Sequence, residues 1–116
     1  MVNVVTSASA NTFGSWVALD ASTATDVWIS HVTVAPSEST GIDSYCVEIG
    51  TGASPAAKIR FSFTGKITAE WPCYIFALPI PIKVASGTAI SARTSCADPF
   101  EALDVYIGIS YYTGLG

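Results

Sequence analysis

Charge is what this 116-residue chain has least of. Five Lys and Arg and nine Asp and Glu make 12% of the sequence, about half the share of an ordinary soluble domain. Much of the surface must therefore be Ser, Thr, Ala and Gly, or be covered by something. A lone monomer so poor in charge is prone to self-association. The charges present sum to −4. Nucleic-acid affinity rests on clustered cations that neutralise phosphates, whereas Lys58, Arg60, Lys66, Lys83 and Arg93 are spread among polar and apolar neighbours. That argues against a nucleic acid as partner, and against an anionic membrane for the same reason.

Catalytic residue types are scarce too. The one histidine, His31, lies in Val27-Trp28-Ile29-Ser30-His31-Val32-Thr33-Val34. A Ser-His-Asp site needs a base oriented by a carboxylate and holding a nucleophile. Asp26 and Asp43 are possible orienters, but no GxSxG elbow is present. His31 reads as a strand histidine bonded to a neighbour, and one imidazole is too few for a histidine metal site. Asp98 and Glu101 bracket Pro99-Phe100, and Asp20 and Asp26 bracket a Ser/Thr/Ala loop. Neither spacing favours a facing pair of glycosidase acids, and no DxDxDG pattern supports calcium. Three cysteines, Cys46, Cys73 and Cys96, show no CxxC pairing, so zinc is not indicated and buried thiols are expected. A Cys73–Cys96 bridge would need an oxidising compartment. Gly50-Thr51-Gly52 lacks the GxxxxGK[ST] pattern of a phosphate loop and reads as a hairpin turn. The expectation is a chain without enzyme activity, metal or cofactor.

Long apolar runs are missing. No stretch approaches the length of a transmembrane helix, and Val2-Asn3-Val4-Val5 after Met1 has neither the cationic start nor the apolar run of a secretory signal. Synthesis in the cytoplasm and a soluble product are expected. Helical periodicity is absent as well: no i, i+3, i+4, i+7 apolar stripe appears.

What is there is alternation. In Ala57–Phe63, Ile59, Phe61 and Phe63 face one way, and Lys58, Arg60 and Ser62 the other. Tyr45–Ile49 alternates with Glu48 on its polar face, and Leu103–Ile109 points Leu103, Val105, Ile107 and Ile109 inward. Tyr74–Leu78 is apolar on both faces, which predicts a central strand. Val2–Ser7, Ser15–Leu19, Asp26–Val34 and Thr88–Thr94 bring the total to eight, separated by Gly, Pro, Ser and Asn turns. Pro79 and Pro81 cannot donate to a ladder, so their stretch must lie on an edge or a bulge. The pattern predicts one domain over residues 1–116: an antiparallel β-sandwich of about eight strands, jelly-roll-like, with an immunoglobulin-like sandwich second. Ile59, Phe61, Phe63, Phe76, Leu78, Val105, Ile107 and Ile109 are the expected core.

Aromatic residues and apolar ends supply the remaining candidates. Trp16, Trp28, Trp71, Tyr111 and Tyr112 suit a sugar-stacking platform, protein hot spots or the core. Trp71, between Glu70 and Pro72, is the one expected to be exposed. Both termini are apolar where free ends are ordinarily polar. The candidate interface is therefore Val2, Val4, Trp71, Tyr111, Tyr112 and Leu115, and a homo-oligomer is expected.

Three segments, read together, resemble small structural proteins of tailed bacteriophages. They are Ser7–Trp16 (SASANTFGSW), Val47–Ala53 (VEIGTGA) and Phe76–Arg93 (FALPIPIKVASGTAISAR), with the Leu103–Tyr112 strand closing the pattern. Ser54-Pro55-Ala56 and Lys83-Val84-Ala85 depart from that pattern. The resemblance implies a small β-sandwich without enzyme activity, commonly a homotrimer. Its expected place is the virion, as a capsid decoration (cement) protein on the major capsid protein at the capsid surface. The alternative is a tail or fibre module that recognises a host glycan or protein. The resemblance carries over no functional residues, because the shared pattern is turn and core.

Overall fold

The computed structural model describes residues 1–36, 43–65, 74–97 and 102–114. Eight antiparallel strands form two four-stranded sheets: β1 (Val2–Asn3), β2 (Val17–Asp20), β3 (Val27–Pro36), β4 (Asp43–Thr51), β5 (Ala56–Gly65), β6 (Tyr74–Val84), β7 (Ile90–Cys96) and β8 (Val105–Thr113). One sheet has the order β1-β8-β3-β6, the other β2-β7-β4-β5. Strand 1 thus pairs with 8, 2 with 7, 3 with 6 and 4 with 5, which is a single long hairpin rolled up into a jelly roll. All eight predicted strands are present, with ends displaced by a few residues.

The core follows the alternation. Val27, Ile29, Val32, Val34, Val105 and Ile107 from the first sheet meet Tyr45, Val47, Ile49, Ile59, Ile90 and Ala92 from the second, all buried. Phe63 is buried; Phe61, Phe76, Leu78 and Ile109 are half-buried and pack against that core. The aromatic end is dense: Tyr45 stacks on Phe63 at 5.2 Å, and Phe61 meets Phe76 at 4.4 Å between ring centroids. Those pairs tie β4 and β5 to β6 across the interior. The β4–β5 hairpin turns through Gly52, at φ 101°, a left-handed conformation open to glycine, so the Gly50-Thr51-Gly52 stretch is indeed a hairpin end.

Two features depart from the expectations. Tyr74–Leu78 belongs to an edge strand, not a central one: β6 closes its sheet beyond β3. Its inner residues Tyr74 and Phe76 fill the core, while Ile75, on the outer face, is 66% exposed. Apolar character on both faces here marks an uncovered face, not double burial. The prolines behave as expected. Ile29 pairs with Ile82 and His31 with Ala77, so Leu78–Pro81 bulges out of the ladder at the edge, where a missing N–H deprives no neighbour.

The second departure is the N-terminal segment. It does not lie free for a neighbour. Beyond β1 it continues along β8, with Val4 N–H donating to Val105 O (2.7 Å) and Thr6 N–H to Leu103 O (2.9 Å). The chain then crosses to the other sheet, where Asn11 N–H donates to Cys96 O and Gly14 N–H to Thr94 O. Buried hydroxyls stitch the crossing: Thr94 donates to Val4 O, and Thr6 accepts from Leu103 N–H. One side of the sandwich is closed by this arm. Among the described residues, the side between β5 and β6 is joined by side chains alone.

Candidate interaction surface

The outer faces of the two sheets differ. Residues directly opposite in an antiparallel pair share a face. The pairings put Ala35 with Tyr106, Thr33 with Ile75 and Gly108, His31 with Ala77 and Ser110, and Trp28 with Lys83 and Tyr112 on the outside of β1-β8-β3-β6. Lys83 is the one formally charged residue in those rows. Its Nζ lies 3.7 Å from Asp26 Oδ2 and 5.4 Å from the Trp28 ring centre. Met1, Ile75, Tyr106 and Tyr112 are exposed there, so the face is broad, aromatic and nearly uncharged.

The opposite outer face is covered by the chain's own arm around Glu48, while Lys58, Arg60 and Ser62 on β5 stay exposed. At its centre Glu48 on β4 stands level with Arg60 on β5 and Arg93 on β7. Arg60 Nε donates to Glu48 Oε2 at 2.9 Å with Nη2 at 2.7 Å, and Arg93 Nε donates to Oε1 at 2.6 Å. Each guanidinium thus grips one carboxylate oxygen, a charge-assisted arrangement. Arg93 stacks 4.5 Å from both the Phe13 and the Trp16 ring centres. The Glu48 side chain is left 3% exposed. Burial pushes its carboxyl up, but the hydrogen bonds and charges of Arg93 and Arg60 outweigh that and hold it below the ordinary value.

This cluster is where the three resembling segments meet. Phe13, Gly14 and Trp16 come from the first, Glu48 and Gly50 from the second, and Arg93 from the third. The glycines are required by contact: a Cβ on Gly50 would sit 2.8 Å from the Trp16 ring, and one on Gly14 2.2 Å from Val5 O. The polar face assigned to Glu48 is therefore a buried carboxylate held between two partly exposed arginines, under an aromatic lid. Alternation could not reveal it, because strand order decides which cations flank Glu48. The visible signal was one outward acid and two outward arginines at alternating positions.

The interface candidates divide. Tyr111 and Tyr112 are 48% and 53% exposed, with Tyr112 on the uncharged face. Val2 is half-buried in β1. Val4 is fully buried in the chain's own core, because β1 continues along β8, so it cannot serve as a contact to a neighbour. Trp71 and Leu115 lie outside the described residues, as do Cys73, Asp98 and Glu101. Trp16 roofs the ion triad. His31 Nδ1 lies 2.8 Å from Ser30 Oγ, and Ser30 donates its proton to Ser110 O, which leaves Nδ1–H to donate to the hydroxyl. Among the described residues no three His, Cys, Asp or Glu side chains gather as a metal-holding group. No family model, curated protein or solved structure matches this chain.

Proposed function

We propose that this chain is a non-enzymatic structural protein of a tailed-phage virion, a capsid decoration protein seated where major capsid subunits meet. The observation that carries the reading is the nearly uncharged outer face of β1-β8-β3-β6, set against an opposite face that carries Lys58, Arg60, Glu48 and Arg93 and is roofed by the chain's own arm around Glu48. A large aromatic face with one paired charge is what a subunit offers to a neighbour. The two longer extents of the molecule, 44 and 29 Å, leave room for the roughly 800 Å² per partner that a specific interface needs. The likeness of three segments to phage structural proteins supplies the partner. The mechanism is added contact area: bound across a joint, the domain clamps capsid subunits against internal pressure without chemistry.

One observation favours a second reading, a tail or fibre module that recognises a host glycan. Trp28 and Tyr112 stand side by side in register on the open face, with the Lys83–Asp26 pair beside them, an arrangement on which a sugar ring can stack. Mass spectrometry and electron microscopy of purified parent particles separate the readings. The proposal expects the chain at many copies per particle with density on the shell. Density at the tail alone selects the second reading, and absence from the particle overturns both.

A further inference from the structure

His31 is the one histidine of the chain, and the fold sets it in the middle of the nearly uncharged face. It stands on β3, an inner strand of β1-β8-β3-β6, with Ala77 of β6 on one side and Ser110 of β8 on the other. The next row in one direction holds Thr33, Ile75 and Gly108; in the other it holds Trp28, Lys83 and Tyr112. Few groups that titrate or carry charge face the ring. Lys83 comes from β6, and Tyr112 and the more distant Tyr106 from β8. Asp26, just ahead of β3, is already engaged: it accepts from Ser86 N–H at 2.8 Å and lies 3.7 Å from Lys83 Nζ. Asp104 stands six residues before Ser110, about 20 Å at strand rise, and accepts from Asn3.

The tautomer of His31 is set by its neighbour. Ser30 gives its own proton to Ser110 O, so its oxygen accepts from His31 Nδ1–H at 2.8 Å. The lone pair of the neutral ring is therefore on Nε2, which has no hydrogen-bond partner among the described residues and is open to solvent. An imidazole is the side chain whose ordinary titration falls between pH 5 and 8. A proton taken up by this ring goes to Nε2. It turns that atom from an acceptor into a donor and puts a full charge in the middle of the face, with no free carboxylate beside it.

We propose that His31 makes docking of this face pH-dependent, a switch that rests on the reading of the face as the capsid contact. Seating the face on an uncharged neighbour takes the ring out of water. The neutral imidazole, bonded to Ser30, is accepted there. A charge removed from water without a partner is costly, so protonation at Nε2 releases the contact. One proton is taken up for each contact broken, and the dissociation constant rises by at most about tenfold per pH unit.

Co-pelleting with purified parent particles at pH 8 and pH 5.5 tests the switch, with thermal melting at both values to confirm the fold. Glu48 stays ionised across that range, because its carboxyl titrates below 4.5. The wild type is expected to bind at pH 8 and to weaken about tenfold at pH 5.5. His31→Gln, which cannot charge, is expected to bind equally at the two values. His31→Lys, which stays charged, is expected to bind weakly at both. Wild-type binding that is level or stronger at pH 5.5 would overturn the switch and leave the capsid reading standing, as would a His31→Gln variant that weakens as steeply as the wild type. No co-pelleting of the wild type at either value would overturn the capsid reading, and the switch with it.

Discussion

Glu48 shows how much one side chain can organise. It is nearly inaccessible, holds two arginines, and through Arg93 positions the two rings that seal the arm. Removing the anion loses the hydrogen bonds of two guanidinium groups that stay partly in water, so Glu48→Gln is expected to cost about 1.5–3 kcal/mol, the range for hydrogen bonds to a charged group. Arg60 is 63% exposed, and Arg60→Ala should cost under about 1 kcal/mol. Urea unfolding of both variants checks the ratio. The pH dependence has a definite sign. The folded carboxyl titrates below its ordinary 4.5, so its stabilisation is complete above that value and disappears as pH falls through the lower folded value. Stability measured at pH 7 and pH 3 should fall for the wild type, and fall by less for Glu48→Gln. Gly50→Ala drives a methyl into the Trp16 ring. A lost or red-shifted tryptophan contribution, with the sandwich still folded, is the expected fluorescence result.

At the level of elements, alternation was a sufficient guide wherever one face is buried and the other wet. β4, β5 and β8 were legible for that reason, and so were the prolines of β6. Position within the sheet was not legible. Tyr74–Leu78 carries apolar residues on both faces because one face fills the core and the other is bare, and a sequence records the two situations identically. The arm was hidden for a different cause: Ser7–Trp16 has no periodicity, and its placement depends on Gly14 touching Val5 and Gly50 admitting Trp16. The aromatic end of the core gives a graded test. Phe63→Ala removes a buried ring stacked on Tyr45 and should cost about 3–5 kcal/mol. Phe61, half-buried beside the β5/β6 groove, should cost less on the same substitution. Equal losses in denaturant midpoint would mean that the groove is closed in solution.

The whole molecule has one sheet face bare and nearly uncharged, and the other charged and partly roofed by the arm. If the bare face is the one that meets a shell, a charge placed there should weaken binding and leave the fold alone. Tyr112→Asp is exposed enough to be tolerated, and a several-fold loss of protein co-pelleting with particles is expected at unchanged melting temperature. His31→Gln, by contrast, keeps an uncharged polar side chain in that face and should leave binding intact. Normal co-pelleting of Tyr112→Asp would move the contact off this face.

The rolled hairpin also sets an order in time. β4 and β5 are joined by a four-residue turn and can pair early, whereas the first strand finds its partner at the opposite end of the chain, where Asn3 donates to Asp104 across 101 positions. Closing so long a loop comes late and carries an entropic cost, and topologies of this kind fold in roughly milliseconds to seconds. The N-terminal arm is then the last piece to settle. Until it does, the Glu48 triad lacks its roof, and Phe13 and Trp16 stay in water, so tryptophan fluorescence should report the final step of folding, not the first.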